Sequence, residues 1–295
     1  MEEPVRKSIQ LDLGVISVLE AGPETGMPVV FIHGVPTGAE LWRDVLKRAG
    51  VAGYRAYAPD MPGYGQTRLH HGGDYSLSGA AECIATWMQA QDIAPAMMVA
   101  HDIGGGALQI LAARYPELVD QMVFSNAIVG DSWPVTPVKI LIWIARMGLL
   151  PMVGASGFYR FEPYLNHSLK RTFFNPALAS RKYFRERIFF DTKMTAPEGR
   201  NAFAAHLKSL HNSQTLAVEQ ELSDLDVPVL LLWGRNDPFQ PWDGPGERLK
   251  RIFSHADTQF LDKAGHFLML DQPDAYAESL LRWLSDETEK SVPGL

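Results

Sequence analysis

The sequence predicts an α/β fold: a doubly wound, mostly parallel sheet of eight strands, interrupted by a helical insertion. Three observations carry this. Short, fully apolar runs such as Val29-Val30-Phe31-Ile32 and Val229-Leu230-Leu231-Leu232-Trp233 suit strands buried on both faces of a parallel sheet. Strand and helix patterns alternate at the spacing of right-handed βαβ units. One strand-to-helix junction, Met97 to Leu108, gathers the small residues Ala100, Gly104, Gly105 and Gly106 around a single acidic side chain, Asp102.

Ser8 to Leu13 and Val15 to Glu20 flank Gly14 and read as an antiparallel hairpin at a sheet edge. The strand Val29 to Ile32 runs into His33-Gly34-Val35-Pro36. Leu41 to Arg48 reads as a short helix and Tyr54 to Ala58 as the next strand. A turn-rich loop follows, Pro59-Asp60-Met61-Pro62-Gly63-Tyr64-Gly65. Ser78 to Ala90 is a helix, Ala96 to Ala100 a strand, Gly105 to Tyr115 a helix and Val119 to Ser125 a strand. From about Asp131 to about Asp224 the rhythm stops, and the text turns helical and aromatic. This stretch is expected to lie over the carboxyl ends of the strands, where open α/β sheets bind ligands. Most of its rings pack it onto the core, and a few line a pocket. The sheet resumes at Val229 to Trp233, followed by Gly234-Arg235-Asn236-Asp237-Pro238. Thr258 to Leu261 is the last strand and ends in Asp262-Lys263-Ala264-Gly265-His266-Phe267. Pro273 to Ser285 is the closing helix, and Ser285 to Leu295 is expected to fray. The predicted division is a core of residues 1–130 and 223–295 with a cap of residues 131–222.

Composition narrows the function. The 295 residues carry a net charge of −7 without a basic block, which argues against nucleic acid as a partner. The single Cys83 cannot form an internal disulfide and reads as packing. Met1 to Gln10 has no apolar core of a leader, and the run Ile140 to Ile144 is too short to span a membrane, so a cytoplasmic location without membrane association is expected. No Cys/His set has zinc spacing, so neither metal nor cofactor is expected.

The Asp102 junction fits the frame small-x-nucleophile-x-small, with Ala100 and Gly104 in the small positions. Centring on His101 would put Val99 and Ile103 there. A nucleophile on so sharp a turn has a strained backbone, and small neighbours let the crossing chain pass.

The blocks His33-Gly34-Val35-Pro36, Asp60 to Gly65, the Asp102 elbow, Gly234 to Asp237 and Gly265-His266-Phe267 come in the order used by the α/β-hydrolases. The chain resembles that family along nearly its full length. Within it, the chain resembles the Asp-nucleophile group of epoxide hydrolases and haloalkane dehalogenases. The resemblance implies that Asp102 attacks a saturated carbon and forms an ester. A carboxylate of ordinary pKa, ~3.9, is ionised at neutral pH and needs no base for that step. It implies His266 as the base that activates water against the ester, and Asp237 as the acid that orients the imidazole. The backbone N–H groups of Val35 and Ile103 would form the oxyanion hole.

Competing readings exist for each. Asp237 lies in an Asn-Asp-Pro turn, where Asp is common anyway. Asp262 and Asp131 are weaker rivals for the acid. Asn126 sits where some dehalogenases carry their acid and cannot act as a carboxylate, which favours Asp237. His33 and His101 read as structural, holding loop and elbow. His33 also counts among the substrate-binding candidates, with Trp133, Tyr159, Tyr164 and Tyr183. His70, His71, His206, His211 and His255 read as surface or cap residues.

The leaving group separates the candidate reactions. The dehalogenases resembled here often hold halide with a Trp after the nucleophile and an Asn in the oxyanion loop. This chain has Ile103 and Val35 there, and no Arg follows Asp102 as in fluoroacetate dehalogenases. In the epoxide hydrolases, cap tyrosines assist the ring oxygen, and Tyr159, Tyr164 and Tyr183 lie in the insertion. Trp133 and Trp143 are alternative halide donors. The elbow departs from both groups in having Ala100 for a Gly and Ile103 for an aromatic. The leading expectation is therefore opening of an epoxide to a vicinal diol. Haloalkane dehalogenation comes second, then ester, lactone or C–C hydrolysis. A ligand receptor on the same fold is the non-enzyme alternative. The expected partners are a small apolar organic substrate and water.

Overall fold

A computed structural model describes residues 2–157, 169–180, 188 and 194–291. Strands β1 (Val5–Leu11) and β2 (Gly14–Ala21) form the edge hairpin, with Leu11 opposite Gly14. Gly14 adopts φ +137°, and a Cβ there would lie 2.3 Å from the carbonyl oxygen of Arg68. The remaining strands are β3 (Pro28–Ile32), β4 (Arg55–Pro59), β5 (Arg68–Leu69), β6 (Ala96–Asp102), β7 (Val119–Ala127), β8 (Val229–Gly234) and β9 (Asp257–Leu261). Their order is β1-β2-β4-β3-β6-β7-β8-β9, with β5 paired to β2. The pairs from β4 through β9 are parallel, and those of β2 with β1, β4 and β5 antiparallel. The sheet thus has nine strands and not the expected eight. The ninth, β5, spans two residues, too few to show a period.

The two faces of the sheet can be told apart residue by residue. Val30, Ile32, Met98, Ala100, Leu231 and Trp233 enter one apolar core. Their chain neighbours Val29, Phe31, Met97, Val99, Leu230 and Leu232 enter the other. Continuous apolar runs are needed because each strand feeds two cores with a period of two. Helices α1 (Arg43–Val51), α2 (Leu77–Ala90) and α3 (Ile103–Arg114) cover these faces. Residues 39–42 form a separate 3-10 turn ahead of α1.

Between β7 and β8 the described residues form helices and no strand. They include α4 (Thr136–Arg146), α5 (Leu150–Ala155) and α6 (Pro197–Ser209). Ile142, Ala145, Leu150, Phe203 and Leu207 share a core with Leu77 and Ile128. Trp133 Nε1 donates to Thr215 Oγ1 at 2.9 Å, and that hydroxyl donates to Gly130 O at 2.9 Å, pinning both ends of the insertion together.

The closing helix, α7 (Pro273–Ser291), continues past Ser285, where fraying was expected. Leu280, Trp283 and Leu284 bury one face of it, and Trp283 Nε1 donates to Asp257 at 2.7 Å. That anchorage carries the helical geometry into the following turn. No helix among the described residues is long and apolar enough to cross a membrane.

Candidate active site

Strand β6 is buried along its whole length and delivers Asp102 at its carboxyl end, immediately before α3. Asp102 has φ 54° and ψ −125°, a conformation that a non-glycine residue holds only when its surroundings dictate it. Those surroundings are small residues. A Cβ on Gly34 would fall 2.5 Å from Asp102 Cβ and 2.7 Å from its Oδ2. One on Gly104 would fall 2.4 Å from His33 O. Glycine is therefore required at 34 and 104, while the methyl of Ala100 is accommodated in the core.

Asp102 Oδ2 accepts a hydrogen bond from Val35 N at 2.9 Å, and the Ile103 N–H also favours the ionised carboxylate. The two backbone donors expected to form an oxyanion hole thus already face this carboxyl group. Burial pushes the Asp102 carboxyl above its ordinary range, against the pull of His266 and these two N–H groups. The ordinary pKa assumed from sequence is corrected upward.

His266 follows β9 on a loop, and its Nδ1 lies 2.9 Å from Asp237 Oδ2. Both side chains are almost fully buried. Asp237 Oδ1 accepts from Phe239 N at 2.7 Å and Gln240 N at 3.1 Å. One carboxylate thus serves both readings of Asp237: Oδ1 caps the turn and Oδ2 holds the imidazole. The rivals are engaged elsewhere, Asp262 with Arg235 and Asp131 with Arg248. Burial alone would lower the pKa of His266. The charge and hydrogen bond of Asp237, joined by the charge of Asp102, outweigh it and raise the value above 6.5.

The loop of His266 is held from several directions. Asn126 Nδ2 donates to Gly265 O and His266 O, both at 2.9 Å, while its Oδ1 accepts from Gly234 N at 2.9 Å. His101 Nε2 donates to His266 O at 2.9 Å. His266 N donates to Thr172 O of the insertion at 2.9 Å. Asp271 accepts from Gly265 N, Phe174 N and Asn175 N. Asn126 was notable in the sequence only for the carboxylate it lacks, and Asp271 and Thr172 carried no local signal.

The other candidates separate. His33 Nε2 accepts from Met61 N and its Nδ1 faces Gly34 O, both at 3.0 Å, so it holds the loop as expected of a structural residue. This corrects its candidacy for substrate binding, because both ring nitrogens face backbone groups. Trp133 is buried with its N–H given to Thr215, which corrects its candidacy as a halide donor. Trp143 is 60% exposed on the outer side of α4. Tyr159, Tyr164 and Tyr183 lie outside the described residues.

One residue that the sequence did not place in the site, Tyr64, lies near it, and a second, His206, packs on Tyr64. Tyr64 is fully buried, and its ring packs edge-on against His33 at 4.8 Å and His206 at 4.9 Å. Burial and the charge of Asp102 raise its hydroxyl pKa well above 10. His206, read from sequence as a surface or cap residue, is wholly buried on α6, and burial lowers its pKa to about 4. Its Nδ1 faces Tyr75 O at 2.8 Å.

A family model described as alpha/beta hydrolase fold matches residues 27–273. The chain belongs to the α/β-hydrolase family. This hydrolase is 24% identical over 277 residues to a haloalkane dehalogenase of Mycobacterium marinum, covering 90% of this chain and 87% of the relative. It is also 24% identical over 283 residues to a 2-hydroxy-6-oxo-2,4-heptadienoate hydrolase of Pseudomonas putida, covering 92% and 96%. The solved structure of an α/β hydrolase fold protein from Burkholderia ambifaria aligns with a TM-score of 0.78 at 19% identity, covering 94% of this chain and 97% of that one. The relatives bear different activities in their names, so similarity alone does not choose the hydrolase's substrate.

Proposed function

We propose that this hydrolase works through a covalent ester on Asp102 and that its substrate is an epoxide, opened to a vicinal diol. One observation carries the reading. A buried carboxylate stands at the elbow with Oδ2 on the Val35 N–H, and a buried His266–Asp237 pair is close enough for its charge to perturb that carboxylate. A Ser elbow would need its histidine to take a proton first, whereas a carboxylate attacks directly. The leaving carbon–oxygen bond breaks as the Asp102 ester forms. Water then attacks the ester carbonyl and His266 takes the water's proton, while Asp237 stabilises the imidazolium. The N–H groups of Val35 and Ile103 receive the tetrahedral oxyanion. Esterification cancels the Asp102 charge that helps keep His266 protonated, so the histidine becomes a freer base at the step that needs one.

The epoxide reading rests on the surroundings of the leaving group. Val35 and Ile103 offer apolar side chains, and the Trp133 N–H is occupied, so none of these three gives a side-chain donor to a halide. Residues 131–222 act as the cap in this reading, supported by the Thr172 carbonyl that receives His266 N. Haloalkane dehalogenation is the second reading, favoured by the relative named above.

The test is intact mass and peptide mapping of His266→Gln after separate incubation with epoxides and with haloalkanes. Without its base the enzyme stalls at the ester. An adduct on the Asp102 peptide from an epoxide is the expected result. An adduct from haloalkanes alone transfers the assignment to dehalogenation. No adduct from either, with inactive wild type, overturns the ester reading for both classes.

A further inference from the structure

We infer that the exposed face of α4, with the corner leading into α5, is a docking surface for an anionic lipid bilayer, on which the insertion of this hydrolase rests. Such docking does not depend on which bond the enzyme cleaves. The expectation of no membrane association came from the lack of a leader and of a spanning run, and attachment to a bilayer surface needs neither.

The first support is a cluster of exposed apolar side chains. Ten large hydrophobic residues are exposed among the described residues, and five of them, Ile140, Trp143, Met147, Leu149 and Met152, fall within one stretch of the insertion. Single exposed hydrophobics are normal on any folded surface, whereas a cluster marks a place of interaction. Helix α4 turns Ile142 and Ala145 to the core, yet only Thr136, Lys139 and Arg146 among its eleven residues are polar. A helix apolar on nearly every side needs apolar surroundings on every side. The core supplies them for one face, and the other face stands open. The corner continues that face. Leu149 N donates to Ile144 O at 3.1 Å and Gly148 N to Ala145 O at 2.9 Å, folding the chain over the end of α4 between Met147 and Leu149. Met152 follows Leu149 by three residues, the spacing of neighbours on one side of a helix.

The second support is the arrangement of that face. At about 100° per residue, Lys139 and Arg146 fall in one row along α4, Ile140 and Met147 in another, and Trp143 between the two. All five side chains are exposed. A basic row, an indole and an aliphatic row side by side suit a helix lying in the plane of a membrane surface. The cations meet lipid phosphates, the indole takes the interface, and the aliphatic chains enter the acyl boundary.

The third support is charge complementarity. Residues 131–222 carry 12 basic and 7 acidic side chains, a net charge of +5, whereas the rest of the chain carries 15 and 27, a net charge of −12. No acidic residue stands between Asp131 and Glu162, and Asp131 is paired with Arg248 of the core. A basic insertion on an acidic core turns the molecule, in the field of an anionic surface, with the insertion foremost. A second copy of the chain is a poorer occupant. Two-fold pairing through this face would bring two basic rows together, with no acidic residue of the same segment to answer them. The insertion also receives His266 N on its Thr172 carbonyl, so the docked unit is the one that borders His266. An apolar substrate concentrates in lipid, and an enzyme resting on the bilayer meets it there.

The experiment is co-sedimentation of the full chain with vesicles of equimolar phosphatidylglycerol and phosphatidylcholine, beside vesicles of phosphatidylcholine alone. Wild type should bind the anionic vesicles and stay largely in solution with the neutral ones. Lys139→Gln/Arg146→Gln should weaken binding to the anionic vesicles about 25-fold, at about 5-fold for each basic residue near such a surface. Trp143→Gln/Met147→Gln should weaken it about 10-fold or more, because the apolar contact is lost. The four side chains are exposed, so both variants should keep the wild-type melting temperature, and should one melt early the other decides. Absence of wild-type binding to the anionic vesicles overturns the proposal. So does equal binding to both kinds of vesicle, or undiminished binding by a folded double variant. Sedimentation velocity without lipid covers the rival occupant: a dimer that Trp143→Gln/Met147→Gln splits overturns the proposal in favour of self-association. None of these outcomes bears on the Asp102 ester, which His266→Gln tests separately.

Discussion

The elbow of Asp102 and the loop of His266 lie side by side, yet they are built in opposite ways. The elbow is made of backbone and of missing side chains. Gly34 and Gly104 leave room, and Val35 N and Ile103 N–H aim at the carboxylate. The histidine loop is held by side chains from afar: Asn126, Asp237, His101 and Asp271, together with the carbonyl of Thr172. A backbone site tolerates few changes, and each is severe. A loop held at many points spreads the effect of a change, so each bond lost costs less.

Mutations on the two sides should separate accordingly. Asp102→Asn removes the nucleophile and should lower turnover on the order of 10,000-fold or more, read as initial rates on the responsive substrate class. The same change should raise the melting temperature at neutral pH, because burial makes the Asp102 charge unfavourable and Asn tolerates positive φ better than most residues. A lower melting temperature would show that the charge is anchoring the site.

Gly34→Ala comes next. Its methyl must displace Asp102 Cβ or Oδ2, and misplacement of about 1 Å costs on the order of 100-fold in rate. Ester formation is the step that should slow. Wild-type kinetics would mean that the elbow yields more than its packing suggests.

Asn126→Ala acts on the other side. It strips Gly265 O and Gly234 N of a partner, while His266 O keeps His101 Nε2. Stability should fall by about 2–4 kcal/mol in denaturant titration. Ester hydrolysis should slow more than ester formation, since only the former uses His266.

The pH dependence sharpens the same contrast. Ester formation needs ionised Asp102 and should fall as pH drops through a value above 3.8. Ester hydrolysis needs neutral His266 and should rise with pH. In the free enzyme the histidine titrates above 6.5, and in the esterified enzyme it should titrate lower than that because Asp102 no longer carries charge. NMR titration of His266 in free and esterified protein measures the difference. The sign also bears on stability. A raised histidine pKa stabilises the fold below the unfolded value, and that contribution is lost as pH rises through the folded one.

Asp271→Asn should have the smallest effect. Asp271 is half-buried and accepts three backbone bonds, of which a carboxamide oxygen can keep only part. A loss of about 1 kcal/mol and a few-fold slowing of ester hydrolysis are expected, seen in melting and in adduct decay.

The sequence by itself determined eight of the nine strands and the elbow, and its motif order, through the family resemblance, pointed to the Asp237–His266 pairing. Each depends on constraints among near neighbours or on a motif order. Apolar runs follow from burial on two faces, and small residues at 100 and 104 follow from steric exclusion around a strained turn, whereas the need for glycine at 34 emerges only where the two chain segments cross. The sequence did not show β5, the length of the closing helix, the roles of Asn126 and Asp271, or the packing of Tyr64 on His206. Asn126 meets Gly265 across 139 residues and Tyr64 meets His206 across 142, and an Asn or a Tyr in a loop has no periodicity that announces its partner. Only the tertiary structure decided those contacts, because a hydrogen bond or ring contact between distant segments is set by how the sheet and the insertion pack.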